Sequence, residues 1–269
     1  MGRGRTHHMD RQKTYPWQNC RFDLIAMPGG AKNLVQPEKP WDKDHALFNI
    51  EFSVIAGQPT VITCIDFRFW EKFLEEFQFS PTVNDITLTT HSDCGAYGGL
   101  KEFSGDADQE YNFLFSQMNE AEKVVSDWLR KFKEIEPSIV KKLTTTFRFA
   151  KADFNSYPAA HTCKALVFSC SETGAWQAAC TAVKRAGVQS FDVLTTYGGA
   201  RRIVTEDQSC FRDHTLRSME ISRTLHHIEE IILVGHAKGR CDMERSDVFK
   251  AARIVEERFP EIRVEVLVI

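Results

Sequence analysis

The sequence predicts an α/β protein made of two repeats, each a mostly parallel sheet flanked by helices. Three observations predict this. Short apolar, β-branched runs alternate with longer amphipathic stretches, the pattern of strands joined by helical crossovers. Several of the apolar runs end in small or reactive residues. The two halves also echo each other: FDLIAMPGGAKNLV (22–35) matches FDVLTTYGGARRIV (191–204), DITLTTHSDCG (85–95) matches EIILVGHAKGR (230–240), and TVITCIDFR (60–68) matches ALVFSCSET (165–173) more loosely. Repetition of whole strand–turn units indicates an internal duplication.

In the first half, strands are expected over 22–27, 59–69 and 85–91. Apolar residues recur at helical spacing over 107–134, so a long helix follows, and 144–150 reads as a further strand. The polar, proline-containing segment 151–162 is the expected boundary, dividing the chain into 1–155 and 156–269. In the second half, strands are expected over 165–170, 191–197, 230–236 and 262–269, with helices over about 175–187, 213–227 and 245–258.

The 269 residues, formal net charge of -3 and 42% hydrophobic content are those of an ordinary globular protein. A charge this close to balance gives no electrostatic footprint for nucleic acid or an anionic membrane. The first twenty residues are basic and polar without the apolar core of a signal peptide, and no later apolar run is long enough to span a bilayer, so the cytoplasm is the expected compartment. The eight cysteines are spread through the chain, which favours free thiols or metal ligands over a disulfide framework.

One constellation carries chemistry. Cys64 ends an apolar strand and is followed by Asp66 and Arg68; His91 ends another and is followed by Cys94. Two thiolates and one imidazole fill three of zinc's four tetrahedral positions and leave one for water or substrate, which is the catalytic arrangement. Zinc lowers the pKa of such a water to about 7. Both pieces lie at the C-terminal ends of expected parallel strands, where open α/β sheets bind ligands. Asp66 and Arg68, two apart on an extended segment, can point the same way and pair; the ionised Asp66 then accepts a hydrogen bond from the zinc-bound hydroxide and orients it.

C-x-D-x-R followed by H-x-x-C-G resembles the signature of the β-class carbonic anhydrases. The strings CIDFRF, PGGAKNLV and HSDCGAYGG resemble a bacterial branch of that superfamily. The resemblance runs from about residue 22 to the end. It implies Cys64, His91 and Cys94 as ligands of Zn2+, Asp66 and Arg68 as a catalytic dyad, and two β-carbonic-anhydrase-like repeats packed as a pseudo-dimer. The implied reaction is reversible hydration of carbon dioxide to bicarbonate by a zinc-bound hydroxide. Substrate is then the only partner implied, beyond a homo-oligomer of pseudo-dimers. Carbon disulfide and carbonyl sulfide are alternative substrates for the same site. A non-catalytic zinc-binding or interaction protein is the alternative of another class, supported if Asp66 or a further cysteine closes the fourth position. A dithiol redox role for Cys64 and Cys94 lacks a C-x-x-C pair.

The pattern breaks twice. The second half keeps Cys170 and His236 but has Glu172 for the aspartate, Gly174 for the arginine and Gly239 for the second cysteine, with Cys241 two residues further on. The reading is a degenerate repeat kept for its fold; a metal held by Cys170, His236 and a displaced Cys241 is the alternative. The first half departs in block order, since FDLIAMPGG precedes CIDFR whereas the family places it after. If strand positions in space are retained, the first-half chain passes one way through neighbouring strands. Right-handed crossovers then put both connecting helices on one face, leaving the other to be covered by the partner repeat or the N-terminal segment.

The remaining candidates have plainer readings. The PGG and YGG turns lack the full phosphate-loop patterns and read as close backbone turns, with Lys32, Arg201 and Arg202 solvated or paired at the repeat interface. His7 and His8 fall in an expected tail. His226 and His227 fall late in a helix, where positive charge is favourable. His45, His161 and His214 are the proton-relay candidates. Phe67, Phe69 and Trp70 read as core or pocket wall.

Overall fold

A computed structural model of the chain describes residues 15–66, 68, 85–135, 146–152, 162–205, 209–236, 241 and 243–269. The first half runs β1 (Asp23–Ala26), α1 (Pro40–Ile55), β2 (Thr60–Thr63), β3 (Asp85–His91), α2 (Ala107–Ile135) and β4 (Thr146–Ala152). The second runs β5 (Ala165–Cys170), α3 (Thr173–Arg185), β6 (Phe191–Thr196), α4 (Ser209–His226), β7 (Glu230–Gly235), α5 (Arg245–Arg258) and β8 (Arg263–Val268). All pairings are parallel. One sheet has the order β1-β2-β3-β4 and the other β6-β5-β7-β8.

These two orders resolve the block swap. β1 carries the sequence echoed in β6, β2 that of β5, and β3 that of β7. Strands with matching sequence therefore hold matching places in the two sheets, although the chain visits them in a different order. In the first sheet the chain does pass one way through neighbours. Ile25, Met27, Ile62, Ile86 and Leu88 face α1 and α2 in one core that also holds Ala46, Ile50, Ala121 and Val125. Alternation sends Leu24, Ala26 and Val61 to the other face, into a core shared with Phe168, Trp176, Val193 and Trp17. The second half and the N-terminal segment supply the expected cover. Trp17 and Phe22 dock on α3: Trp17 Nε1 donates to Thr181 Oγ1 (3.1 Å) and Trp176 Nε1 donates to the Phe22 carbonyl (3.1 Å).

Backbone hydrogen bonds tie the halves in matched fashion. Leu24 N donates to Ser171 O (2.9 Å), and Val193 N donates to Ile65 O (3.2 Å). Leu24 and Val193 are the same position of the echoed FDL/FDV string, and Ile65 and Ser171 each follow the cysteine of their half. Asp23 Oδ1 accepts from Thr173 N (3.1 Å) and Thr173 Oγ1 (2.9 Å), so a first-half carboxylate caps the N-terminus of second-half helix α3. His45 and His214, in matching helices α1 and α4, stack with ring centroids 3.9 Å apart. Burial alone would raise the Asp42 carboxyl, but His214, the Lys39 N–H and Arg217 together bring it down to about 2.

Several expectations need correction. Helix α1 was not foreseen, because polar residues share its buried surface: Asp42, His45, Asn49 and Ser53 are buried alongside Ala46, Ile50 and Val54. Its partners there are polar too, as in the Tyr197 N–H donating to Asn49 Oδ1 (2.6 Å). The strand expected over 59–69 is observed as Thr60–Thr63, and beyond it Ile65 O accepts from Val193 N of the other half. The expected boundary at 155/156 lies outside the described residues, as do His7, His8, His161, Phe67, Phe69 and Trp70. No helix among the described residues is long and apolar enough to cross a membrane.

The double-glycine turns behave as the close backbone turns expected. Gly30 has φ +51, and a Cβ there would lie 2.9 Å from Thr63 C and 3.0 Å from Cys64 N; Gly199, with φ +47, would place one 3.1 Å from Cys170 N. Each turn thus presses on the strand end that carries its half's first cysteine. Gly57 also has positive φ (+64) but no heavy atom within 4 Å of a Cβ. Gly30→Ala is predicted to cost about 2–4 kcal/mol in urea unfolding, combining left-handed strain with steric displacement, against about 1–2 kcal/mol for Gly57→Ala. Equal costs would contradict the packing argument.

Candidate metal centre

Cys64 is the first residue past β2, His91 the last residue of β3, and Cys94 follows after a turn in which Asp93 takes φ +54. Parallel strands bring their C-terminal ends together, and the side chains of Cys64, His91 and Cys94 converge with potential ligand atoms all within 4.8 Å of one another. All three residues are buried. The turn is held by backbone bonds from Tyr97 N (2.9 Å) and Gly99 N (3.0 Å) to Cys94 O, and by Asp93 Oδ1 accepting from Leu100 N (3.0 Å). His91 Nδ1 lies 2.9 Å from Ser92 O, a partner that fixes the ring's tautomer and leaves Nε2 to the sulfurs.

The donor set fits a borderline-soft divalent cation such as zinc. A hydrogen bond to the Cys94 sulfur and then burial push the Cys64 thiol well above its ordinary value. A coordinating cation would remove that proton. Burial disfavours charge on His91, but the neighbouring Cys64 and Asp66 outweigh it and raise its pKa.

Asp66 and Arg68 are buried and paired. Arg68 Nη2 donates to Asp66 Oδ2 (2.7 Å), Arg68 Nε lies 3.1 and 3.2 Å from the two carboxylate oxygens, and Arg68 N donates to Oδ1 (2.9 Å). That last bond closes a turn of the Asx kind, so the pair is made by a bend rather than the extended segment expected. Burial would raise Asp66, but the Arg68 hydrogen bonds outweigh it and hold the carboxyl well below the usual range. No fourth Cys, His, Asp or Glu among the described residues joins the three-residue group. A shallow cleft lined by Asp93, Gly95, Gly98, Gly99, Lys101 and Leu225 opens beside Cys94.

Sequence reasoning missed His226. Its place late in a helix suggests a helix-end charge, yet its side chain is buried: Nδ1 lies 2.6 Å from Asp192 Oδ2 and Nε2 4.0 Å from Asp66 Oδ2. A second-half histidine thus sits against the first-half dyad. The signal was available, because Asp192 stands where the echoed strand has Asp23, and a buried carboxylate on a sheet strand needs a partner. Cys163 completes a cluster with Asp192 and His226, although its thiol donates to the Ala165 carbonyl (3.5 Å). Of the relay candidates, His45 and His214 stack on each other, and His214 Nδ1 is bound to Asp42 (2.8 Å). Lys32 donates to the Ala96 carbonyl, and Arg202 lies 4.5 Å from the Phe48 ring centroid of the other half, so both are engaged rather than solvated.

A second cluster forms in the other half. Cys170, Glu172, His236 and Cys241 also place ligand atoms within 4.8 Å of one another, which is the grouping of Cys170, His236 and a displaced Cys241 that stands as the alternative to a degenerate repeat, with Glu172 added.

No protein-family model, curated protein or solved structure matches this chain.

Burial disfavours the His226 cation, but Asp192 and then Asp66 raise its pKa to about 9. A raised folded-state pKa stabilises fully below the unfolded value of about 6.5 and is lost as pH rises through about 9. The stability gap between the wild type and His226→Gln is therefore predicted to shrink between pH 6 and pH 10, by on the order of 3 kcal/mol. Urea midpoints measured across that range check it; a gap independent of pH would contradict the ion pair.

Proposed function

We propose that this chain is a zinc-dependent carbonic anhydrase that interconverts carbon dioxide and bicarbonate. In this reading it is a cytoplasmic pseudo-dimer of two β-carbonic-anhydrase-like repeats, 1–155 and 156–269, with the catalytic site in the first. The observation that carries the reading is the locked Asp66–Arg68 pair beside Cys64, His91 and Cys94. A carboxylate held by a guanidinium is withheld from the cation, so the three-residue set keeps a position for water. The matched places of echoed strands in the two sheets support the pseudo-dimer.

When bound, zinc supplies a water acidified to a pKa near about 7. The chain's own residues do the rest. Cys64, His91 and Cys94 fix its place at the strand ends. Asp66, kept ionised by Arg68, accepts a hydrogen bond from the attacking water and so aims its free lone pair at carbon. Arg68 Nη1 also lies 3.7 Å from Asp93 Oδ2, which links the dyad to the turn carrying Cys94. His226 adds positive charge behind Asp66 from the second half. Carbon dioxide is small and uncharged, so it needs no polar recognition group beyond these.

Stopped-flow hydration at mildly alkaline pH tests the reading, with Cys64→Ser as blank. Zinc-loaded wild type is predicted to exceed the blank by several orders of magnitude. Arg68→Leu is predicted to retain zinc but lose at least about 10²-fold in rate, because Asp66 is released to compete for the cation. Zinc-loaded wild type no faster than the blank would overturn the assignment. Turnover of carbon disulfide or carbonyl sulfide would then locate the substrate, and failure there too would leave a binding role.

A further inference from the structure

The second half does not simply lack a site. Cys170 is the last residue of β5 and His236 the first after β7, the strand ends that match those of β2 and β3. Cys241 lies five residues after His236, where the first half has its second cysteine three residues after the histidine. The spacing differs but the convergence is kept. Cys170 Sγ lies 3.7 Å from Cys241 Sγ, and Cys241 Sγ lies 3.0 Å from His236 Nε2. A tetrahedral cation with sulfur ligands at about 2.3 Å separates those sulfurs by about 3.8 Å, so the thiol pair already spans one edge of the polyhedron. Glu172 adds a carboxylate within 4.8 Å of all three. It occupies the position of Asp66, and Gly174 stands at the offset where Arg68 holds that aspartate in the first half. Backbone groups of Glu172 and Gly198 hydrogen-bond Cys170, and the backbone of Met243 hydrogen-bonds Cys241, as outer-shell amides do for metal thiolates.

We propose that Cys170, Glu172, His236 and Cys241 form a second, closed divalent-metal site, of a class suited to zinc. Two thiolates, an imidazole and a carboxylate complete a tetrahedron, so this site is structural: it pins the end of β5 to the chain following β7. It leaves no position for substrate, which separates it from the three-residue site of the first half. The assignment stands independently of what the first site turns over.

Metal content per chain tests it on the full-length protein, purified reduced and loaded with zinc, then with cobalt(II) for its visible spectrum. Wild type is predicted to hold two ions per chain. Cys241→Ser is predicted to hold one and to keep hydration activity, while Cys64→Ser holds one and loses it, so the two assignments fail separately. The cobalt(II) form of Cys64→Ser should still show thiolate-to-metal absorption from the second site. Glu172→Gln should release one of the two ions to a chelator at least about tenfold faster and leave the other unchanged. If a variant fails to fold, the wild-type count and its cobalt spectrum still decide. A single ion per chain in wild type that Cys241→Ser retains and Cys64→Ser loses overturns the proposal. So does an intact mass lighter by two hydrogens with Cys170 joined to Cys241, which would make the pair a disulfide.

Discussion

Two backbone hydrogen bonds, Leu24 N to Ser171 O and Val193 N to Ile65 O, place almost everything else. Each joins the first strand of an echoed block to the residue just past a cysteine of the other half. The end of β2, with Cys64 and Asp66, is therefore positioned by β6 as well as by its own sheet, and the end of β5 by β1. Buried backbone groups cannot be left unpaired without a cost of about 1–3 kcal/mol each, so these contacts constrain both strand ends. The double-glycine turns press on the same ends from within each half, and Asp23 caps α3 across the boundary.

That constraint explains how the block swap is tolerated. Sheet order depends on which strands bury which faces, not on the order in which the chain reaches them. β1 with α1 matches β6 with α4, residue for residue through Asp23 and Asp192, His45 and His214, Ser53 and Ser222. Ser53 donates to Asp23 and Ser222 donates to Asp192, so even the buried polar contacts repeat. The pairs then diverge: Asp23 turns to the N-terminus of α3, whereas Asp192 holds His226 against Asp66. The same carboxylate position has become a structural cap on one side and electrostatic support for the dyad on the other.

Much of this was legible in the residues. β3, β5 and α5 occupy the ranges their periodicity implies, because each buries an apolar face. The grouping of Cys64, His91 and Cys94 was legible because strand ends in a parallel sheet lie side by side and the spacings place donors there. What hid α1 was the set of buried polar residues that dilutes the short apolar period of Ala46, Ile50 and Val54, although the match to 213–227 through His45 and His214 could have shown it. His226 was hidden because its partners lie in strands far away in sequence. The ligand spacing of the first half makes Cys241 only an alternative ligand in the second, whereas space constrains where the sulfur arrives and not how many residues precede it; Glu172, which joins the same cluster, is the member the spacing does not suggest.

The central claim is that the Asp66–Arg68 lock leaves the first site with three protein ligands and a position for water. Diffraction from the zinc-loaded protein, with anomalous scattering at the zinc edge, tests it most directly. The account predicts zinc bound by Cys64, His91 and Cys94 with a solvent oxygen as fourth ligand and Asp66 still paired with Arg68. Asp66 on the metal at neutral and alkaline pH alike, with Arg68 turned away, would contradict it.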